Sequence, residues 1–242
     1  MPTEVQELAR AAQSRFGLRL SDGQLQAFTR YARELQDWNL RVNLTAITDP
    51  HEITIKHFLD SLSCLLALKP RPGDKLVDVG SGAGFPGIPL RIACPQIELV
   101  LVESIGKKAD FCRHIVELLG LDGVQVVQAR AELIGRSAEH RGRYDWAMAR
   151  AVARLPVLLE YLLPLLRVGG AAIAQKGEIG PTEAKQAQPA LETLGGELQH
   201  IIPVELPGAS ETHYLIVVNK INETPAKYPR RPGIAAKRPI KG

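Results

Sequence analysis

A short apolar run followed directly by closely spaced glycines is the feature that most constrains the fold of this 242-residue chain. The run is Leu-Val-Asp-Val at 76–79, and Gly80, Gly82 and Gly84 come immediately after it. Pro86 then suits the first position of a helix, where its missing N–H costs nothing. A strand, a glycine turn and a helix let the backbone approach a ligand closely and point helix N–H groups at it. The segment therefore predicts an α/β fold with a nucleotide-like cofactor at the turn.

Two cofactor classes compete for this turn. Gly82, Gly84 and Gly87 match the G-x-G-x-x-G fingerprint of dinucleotide-binding proteins, and Glu103 follows at about the required spacing. That fingerprint should begin directly after the strand, at Gly80, whereas the matching glycines begin at Gly82. Asp78 would also place a carboxylate beside a pyrophosphate, and two anions repel at close range. S-adenosylmethionine carries an ammonium group and no phosphate, so these residues favour it over NAD.

Strand-like and helix-like segments alternate after Gly73, which is the signature of a parallel, doubly wound sheet. The expected strands cover 76–79, 98–102, 124–127, 144–149, 171–174, 198–203 and 214–218, the last two as an antiparallel pair at one edge. Helices are expected from Pro86 to about Ala93, from about Lys107, and over 155–166. This arrangement predicts a mainly parallel, seven-stranded sheet of the Rossmann-like, class I methyltransferase type.

The chain divides into three regions of different pattern. Residues 1–70 are predicted to form an N-terminal helical region, with apolar residues near a 3.6-residue period over 3–45 and a third helix over 52–68. Residues 71–222 are predicted to form the catalytic core. Residues 223–242 are predicted to be a basic tail rich in proline.

Composition excludes several classes of protein. The chain is 45% apolar and 23% charged, as in ordinary soluble domains, and no apolar run reaches the roughly 18 residues of a membrane span. The N-terminus carries acidic residues where a signal peptide needs basic ones, so a cytoplasmic protein without a membrane partner is expected. Three widely spaced cysteines predict buried thiols, with neither disulfides nor a metal site.

The net charge of +4 is too small to indicate nucleic acid by itself, but its distribution is uneven. The segment from Thr224 to Gly242 contains no acidic residue and four prolines. Such a segment could lie along RNA phosphates, or it could be a solvated end that only aids solubility. The candidate RNA contacts in it are Lys227, Arg230, Arg231, Lys237 and Arg238.

Ligands of open α/β sheets bind beyond the carboxyl ends of the strands, so each predicted strand end supplies candidate contacts. The turn after the first strand, with Gly80, Gly82 and Phe85, would cradle the methionine portion of the cofactor, although an aromatic residue at a helix start is more often part of the core. Glu103 after the second strand could accept hydrogen bonds from both ribose hydroxyls, although an acidic residue at a helix start is also favoured by the helix dipole. The remaining candidates lie beside the adenosine: Ser104, Ile105, Ala131 and Glu132.

Arg150 follows the fourth strand, where the methyl acceptor commonly lies. The Asn/Asp-Pro-Pro-Tyr/Phe loop of amine methyltransferases and a Pro-Cys nucleophile are both absent there. A ring nitrogen such as guanine N7 has a free lone pair, so direct in-line attack needs neither a base nor a covalent intermediate. No catalytic residue is therefore assigned, and Arg150 and His57 are the acceptor-side candidates. Arg150 could hold the cofactor carboxylate or guanine O6, or it could simply pair with a nearby acidic residue.

Seven motifs together closely resemble those of the GidB/RsmG family. The motifs are Asn43-Leu44-Thr45, Lys56-His57 with Asp60-Ser61, the turn at 78–87, Arg130-Ala131-Glu132, the segment 150–153, Lys176-Gly177 and Tyr228-Pro229-Arg230. The resemblance runs from about residue 40 to the C-terminus. It implies an S-adenosylmethionine-dependent enzyme that methylates guanine N7 in bacterial small-subunit (16S) ribosomal RNA. It also implies cofactor contacts at Gly80, Phe85, 103–105, Ala131, Glu132 and Arg150.

Three further residues are candidate RNA contacts. His57 shares one helix face with Asp60 and Ser61, next to Lys56. This face either borders the acceptor site and touches RNA, or it only docks the N-terminal region onto the sheet. Lys176 ends the fifth strand and is either a phosphate contact or a solvated charge. Aromatic residues make up only 5% of the chain, so recognition is expected to depend on RNA shape and phosphates, within a small ribosomal subunit or its precursor. An NAD(P)-dependent oxidoreductase and an RNA-binding scaffold with a vestigial pocket are the alternatives.

Overall fold

One seven-stranded sheet forms the centre of the protein, in a computed structural model that describes residues 2–208 and 211–241. The first residue of the predicted N-terminal region and the last residue of the predicted tail lie outside those ranges. The strand order is β3-β2-β1-β4-β5-β7-β6. The strands are β1 Lys75–Val79, β2 Glu98–Glu103, β3 Val124–Gln128, β4 Tyr144–Arg150, β5 Leu166–Lys176, β6 Gly196–Val204 and β7 His213–Lys220. The predicted sheet is confirmed.

The direction of the strands places several loops at one edge of the sheet. Strands β1 to β5 are parallel, whereas β7 is antiparallel to both β5 and β6. The chain winds outward from β1 through β2 to β3 and then returns to β4 on the other side of β1. This reversal opens a crevice beyond the carboxyl ends of β1 and β4, where ligands of such sheets bind.

Helices flank the sheet on both faces. They are α1 Pro2–Phe16, α2 Asp22–Asn39, α3 Pro50–Glu52, α4 Asp60–Leu62, α5 Gly87–Ala93, α6 Gly106–Leu118, α7 Ala131–Ile134, α8 Leu155–Leu162, α9 Gly180–Gln186, α10 Gln188–Leu194 and α11 Ile234–Lys237. The predicted third helix is real but irregular. Between α3 and α4 it is π-helical at Ile53–Leu59, and after α4 it ends in a 3₁₀ turn at Ser63–Leu66.

Proline accounts for the main differences from the predicted elements. The predicted helix over 155–166 ends at Leu162, because a proline at 164 cannot continue it, and β5 already begins at Leu166. Two short helices, α9 and α10, were not predicted. Each has a proline within its first turn, where the ring is tolerated, and the sequence pattern there resembles a break.

The N-terminal helices and the sheet share one hydrophobic core. Phe28 of α2 packs against Phe58, and Tyr31 of α2 packs against Phe58 and Phe85, with ring centroids 5.0–5.4 Å apart. Leu8, Leu35 and Leu62 belong to the same buried cluster as Ile88 and Leu101 of the sheet region. The predicted boundary at residues 70 and 71 therefore falls within a continuous core, and the N-terminal helices form one side of the crevice.

Three further expectations concern cysteines, membrane spans and metals. Cys64, Cys94 and Cys112 are free and buried, as predicted. Within 2–208 and 211–241, no helix has the length and apolar character needed to cross a bilayer. The same residues contain no cluster of three or more side chains suited to holding a metal ion.

Candidate functional site

The glycine turn after β1 brings bare backbone to the crevice. Gly80, Gly82 and Gly84 have φ values of +73°, +58° and +91°, which L side chains rarely adopt. The N–H of Gly80 donates to the carbonyl of Val102 at 2.8 Å, which fixes the turn to β2. A Cβ on Gly80 would lie 2.5 Å from Cγ2 of Val152, so the loop after β4 packs directly on the turn.

Asp78 stabilises the helix after the turn from inside β1. Its Oδ2 accepts the N–H of Gly87, the first residue of α5, at 2.9 Å. Because α5 begins at Gly87, Pro86 is its N-cap and not its first helical residue, which corrects the prediction. Asp78 is fully buried, and among the described residues its Oδ1 has no hydrogen-bond partner. Burial raises the pKa of Asp78 to about 8, against the opposing hydrogen bond from Gly87. At neutral pH the carboxyl is therefore mostly protonated when no ligand is bound, and a cationic ligand such as an ammonium group would favour its ionised form.

Glu103 connects the glycine turn to the loop after β2. Its Oε2 accepts the N–H of Gly82 at 2.8 Å and its Oε1 accepts the N–H of Ile105 at 2.7 Å. A carboxylate offers about four acceptor positions, so two remain for other donors. Because Glu103 is only 5% exposed, those positions are held in a fixed orientation at the edge of the crevice. The arrangement suits the two vicinal hydroxyls of a ribose.

The adenosine candidates divide into exposed and enclosed side chains. Ser104 is exposed, and Ile105 is 51% exposed although it is apolar, so it offers a free surface to a flat ring. Ala131 is half-buried at the start of α7. Glu132 is buried, and its Oε1 accepts the N–H of Gly233 at 2.9 Å. Its carboxylate is thus already engaged by the C-terminal segment.

Phe85 lies beneath the junction between the glycine turn and the N-terminal helices. Its ring stacks on Tyr31 at 5.4 Å and on His57 at 4.5 Å, and the Arg150 guanidinium lies 4.9 Å from its centroid. The ring is only 5% exposed. The structure therefore places Phe85 as a platform under Arg150 and His57, and leaves little of it for direct contact with a ligand.

Arg150 is held by residues from two distant parts of the chain. Its guanidinium donates to Oδ2 of Asp60 at 2.8 Å, to the carbonyl of Lys56 at 3.0 Å and to Nδ1 of His57 at 3.2 Å. Asp60 also accepts, through Oδ1, a hydrogen bond of 3.0 Å from Nδ1 of His213. We call Asp60, His57, Arg150 and His213 the arginine cluster. It fixes the guanidinium in a single orientation at the end of β4.

The arginine cluster sets the protonation of its members. Burial alone would raise the pKa of Asp60, but the hydrogen bond from His213 and the charge of Arg150 outweigh it and hold that pKa below its ordinary value. The hydrogen bond to Asp60 raises the pKa of His213, against the effect of partial burial. Asp60 is therefore a carboxylate at neutral pH, and its charge compensates the arginine.

His57 is neutral in this environment. Burial and the charge of Arg150 lower its pKa to about 4. An arginine can only donate, so Nδ1 of His57 must be the acceptor, and Nε2–H then donates to Oγ1 of Thr45 at 2.8 Å. The ring is thus a fixed neutral element, and its Nδ1 has no lone pair left to act as a base.

Exchange of His57 for glutamine is expected to reduce the loss of stability in acid. Between pH 6.5 and about 4 the unfolded chain binds a proton at His57 while the folded protein does not, so the free energy of unfolding falls as pH falls. The loss reaches about 3 kcal/mol. Urea unfolding at pH 7 and pH 4.5 measures it, and equal pH dependence in the wild type and His57→Gln would contradict the neutral assignment.

A cleft of about 730 Å³ opens beside the arginine cluster, whose four side chains form part of its lining. It lies between the π-helical segment and the carboxyl ends of β4 and β5. Its polar lining comes from Lys56, His57, Asp60, Arg150, Gln175, Lys176, Glu183, Glu211 and His213. The cleft is open to solvent and large enough for a nucleobase and its sugar.

The loop after β4 separates this cleft from the glycine turn. Ala151 has φ +56°, the one positive φ among the described non-glycine residues. Such strained backbone persists where its surroundings hold it in place, often at ligand sites. Ala151 lines the cleft, and its neighbour Val152 packs on Gly80. One short loop therefore contacts both halves of the crevice.

Some candidate RNA contacts already pair with a carboxylate of the protein, and others are exposed. Lys176 pairs with buried Glu183 at 2.8 Å, Lys56 with Glu52 at 2.5 Å, and Arg230 with buried Glu160 at 2.6 Å. His57 is buried and neutral, as described above. Of the predicted contacts on the C-terminal segment, the exposed ones are Lys227, Arg231, Lys237 and Arg238. Those four remain the clearest candidates for phosphate contacts.

One residue of the site escaped the sequence analysis. His213 begins β7, 153 positions after its partner Asp60, and no motif links the two. Val152 was recognised within a family motif, and the structure adds its contact with the glycine turn. Thr45 was recognised within a family motif, and the structure adds its contact with His57. Only the fold itself brings these side chains together.

Comparison with known proteins points to one family. The family model GidB, described as rRNA small subunit methyltransferase G, matches residues 24–210. The ribosomal RNA small subunit methyltransferase G of Roseiflexus castenholzii is 53% identical over 234 residues, which is 97% of this chain and 99% of that protein. The protein of the same name from Alkaliphilus metalliredigens is 45% identical over 225 residues, covering 93% of this chain and 94% of that one.

Solved structures show the same fold at low sequence identity. TrmN from Thermus thermophilus superposes with a TM-score of 0.53 at 22% identity, covering 67% of this chain and 48% of that one. A geranyl diphosphate methyltransferase in complex with GPP and sinefungin gives 0.52 at 17% identity, covering 66% and 76%. These likenesses confirm the predicted Rossmann-like, class I methyltransferase fold.

Proposed function

Because the chain belongs to the GidB family of rRNA small subunit methyltransferases, we propose that it transfers a methyl group from S-adenosylmethionine to N7 of a guanine in small-subunit (16S) ribosomal RNA. Membership rests on the family model and on relatives that match nearly the whole chain. The geometry of the crevice supports both the cofactor and the kind of acceptor. An rRNA substrate implies that the protein acts in the cytoplasm.

The glycine turn tied to Glu103 is the observation that carries the cofactor assignment. Glu103 has two acceptor positions left beside the turn, and Oδ1 of the buried Asp78 is unpartnered among the described residues. The free positions of Glu103 suit a diol-bearing ligand, and its carboxylate would repel a pyrophosphate. A cationic ligand would favour the ionised form of Asp78. When bound, S-adenosylmethionine supplies an electrophilic methyl group on a sulfonium, which a lone pair can accept in line.

The acceptor side supports a reaction without a base or a covalent step. His57 is neutral and its Nδ1 is occupied by Arg150, so it has no role in removing a proton. The three thiols are buried, and burial raises the pKa of each, which keeps them protonated and poor nucleophiles. Guanine N7 needs neither a base nor a covalent nucleophile, since its lone pair is free. Arg150 and the polar wall of the cleft would orient the base.

Electrostatics of the surface support an RNA partner. Lys227, Arg231, Lys237 and Arg238 are exposed on the C-terminal segment, which contains no acidic residue from 224 onward. Phosphate contacts of this kind give sequence-independent affinity that falls with salt. The identity of the nucleotide would then be read in the cleft, on RNA presented by a small ribosomal subunit or its precursor.

Thermal unfolding with candidate cofactors tests the cofactor assignment. Saturating S-adenosylmethionine at about 100 times its Kd should stabilise the folded state by about 2.7 kcal/mol and raise Tm, because only the folded protein binds it. NADH at the same concentration should leave Tm unchanged. A shift with NADH alone would support an oxidoreductase. RNA binding without a shift from either compound would support the scaffold alternative.

A further inference from the structure

The C-terminal segment of the chain is folded back onto the core. We call residues 224–238 the C-terminal strap. Arg230 anchors it, since its side chain donates to both oxygens of Glu160 at 2.6–3.1 Å and its backbone N–H donates to Oε1 at 2.7 Å. Glu160 lies in α8 and is fully buried. A buried carboxylate with this many donors from one residue makes Arg230 the central attachment of the strap.

Two further arginines hold the strap through its backbone. Arg136 donates to the carbonyls of Pro229 and Lys227 at 2.6 and 3.2 Å. Arg141 donates to the carbonyls of Tyr228 and Thr224 at 2.7 and 2.6 Å. Both arginines follow α7, so the strap is attached to the same connection between β3 and β4 that carries the adenosine candidates Ala131 and Glu132.

The strap also contacts a predicted cofactor residue directly. The N–H of Gly233 donates to Oε1 of Glu132 at 2.9 Å, and Ala235 of α11 is fully buried in the core next to α8. Tyr161 of α8, the residue after Glu160, also interacts with Glu132. Glu132 is therefore held between the strap and α8, and α7 has only four residues with which to fix it.

We propose that the C-terminal strap is a wall of the cofactor site and that Arg230 is a positioning residue, which acts on the adenosine end through Gly233 and Glu132. The proposal rests on the proposed function, because it assumes that S-adenosylmethionine binds at the ends of β2 and β3. In this arrangement Arg230 contacts no ligand. Its pairing with Glu160 sets where Gly233 lies, and Gly233 sets the orientation of the Glu132 carboxylate.

The proposal differs from the expectation that the whole tail is an RNA arm. Arg230 has no charge to offer a phosphate, because a buried carboxylate compensates it. Its neighbour Arg231 is exposed. The two adjacent arginines should therefore have separate functions. Arg230 positions the wall of the cofactor site, and Arg231 contacts RNA.

This difference defines a matched pair of variants. Arg230→Ala should raise the Kd for S-adenosylmethionine roughly tenfold or more, since small misplacements of contacting groups have effects of this order. Arg231→Ala should leave that Kd unchanged and reduce the salt dependence of RNA binding by about one phosphate contact. Isothermal titration with the cofactor and filter binding of 16S rRNA measure the two effects. Arg230→Lys should recover part of the cofactor affinity, because lysine keeps the charge but not the bidentate geometry.

A second measurement uses the wild-type protein and does not depend on the folding of a variant. Saturating S-adenosylmethionine should slow hydrogen exchange at residues 228–237 as well as at the glycine turn. Protection confined to 80–105 and 131–134 would overturn the proposal, as would an unchanged cofactor Kd in folded Arg230→Ala. Failure of the wild type to bind S-adenosylmethionine would instead count against the proposed function.

Discussion

Replacing Asp60 with alanine is expected to lower the free energy of unfolding by about 3–5 kcal/mol and to abolish methyl transfer at temperatures where the variant is still folded. Asp60 is the carboxylate that compensates Arg150, and both side chains are largely enclosed, at 3% and 16% exposure. Its removal leaves a charged guanidinium in a desolvated site and also deprives His213 of its partner.

The loss of activity has a separate cause from the loss of stability. Without Asp60, the arginine is free to turn away from the end of β4, where it lies between the glycine turn and the cleft. A double variant, Asp60→Ala with Arg150→Met, should recover part of the stability, because no buried charge is then left unpaired. It should remain inactive, since the group proposed to orient the acceptor is gone.

An ion pair with an exposed arginine provides the control. Arg167 pairs with Asp145 at 2.7 Å, and the two side chains are 54% and 19% exposed. Asp145 keeps a hydrogen bond from the N–H of Lys75 when the arginine is removed. Arg167→Ala should cost less than about 1 kcal/mol and leave activity intact. Urea denaturation and single-turnover methylation of 16S rRNA measure both quantities. If Asp60→Ala behaves like Arg167→Ala, the arginine cluster is not the structural centre of the site.

Replacing Glu103 with alanine is expected to weaken S-adenosylmethionine binding by at least about 100-fold while leaving RNA affinity unchanged. Hydrogen bonds to a charged acceptor contribute about 1.5–3 kcal/mol each, and the proposed ribose contact contains two. The substitution also removes the acceptor that holds the N–H groups of Gly82 and Ile105. Both the contact and the preorganised turn are lost.

Glu98, at the other end of the same strand, is the matched control. Its carboxylate is 59% exposed and lies 3.7 Å from the Lys75 ammonium. Glu98→Ala removes one negative charge from β2 without touching the crevice, so the cofactor Kd should not change. Equilibrium dialysis with labelled cofactor and filter binding of RNA give the two affinities. A larger effect of Glu103→Ala on RNA than on cofactor would contradict the ribose assignment.

The β1 turn and the strand ends could be predicted from sequence because their signals are local. A buried run ending in glycines implies a strand and a close-approach turn, and the parallel sheet then places Glu103 and Arg150 at the same edge as Gly80. The arginine cluster could not be predicted in the same way. Arg150 and His213 lie 90 and 153 positions after Asp60, so their contacts with it depend on how α4, β4 and β7 pack together.

The C-terminal strap shows the limit of reasoning from composition. Lys227, Arg230 and Arg231 are equivalent as charges in a proline-rich segment, so the sequence predicts one role for all of them. The structure separates them, because only Arg230 meets a buried carboxylate. That carboxylate, Glu160, lies within the apolar helix α8, and an acidic residue there gives no indication of its partner 70 positions away.

The most direct test of the proposed activity is to map methyl groups on 16S rRNA by mass spectrometry, in cells with and without this protein. A single 7-methylguanosine should disappear when the protein is absent and return with the wild-type chain, but not with Asp60→Ala/Arg150→Met. Unchanged rRNA, or a lost methyl group on an exocyclic amine or on another base, would contradict the assignment of guanine N7 as the acceptor.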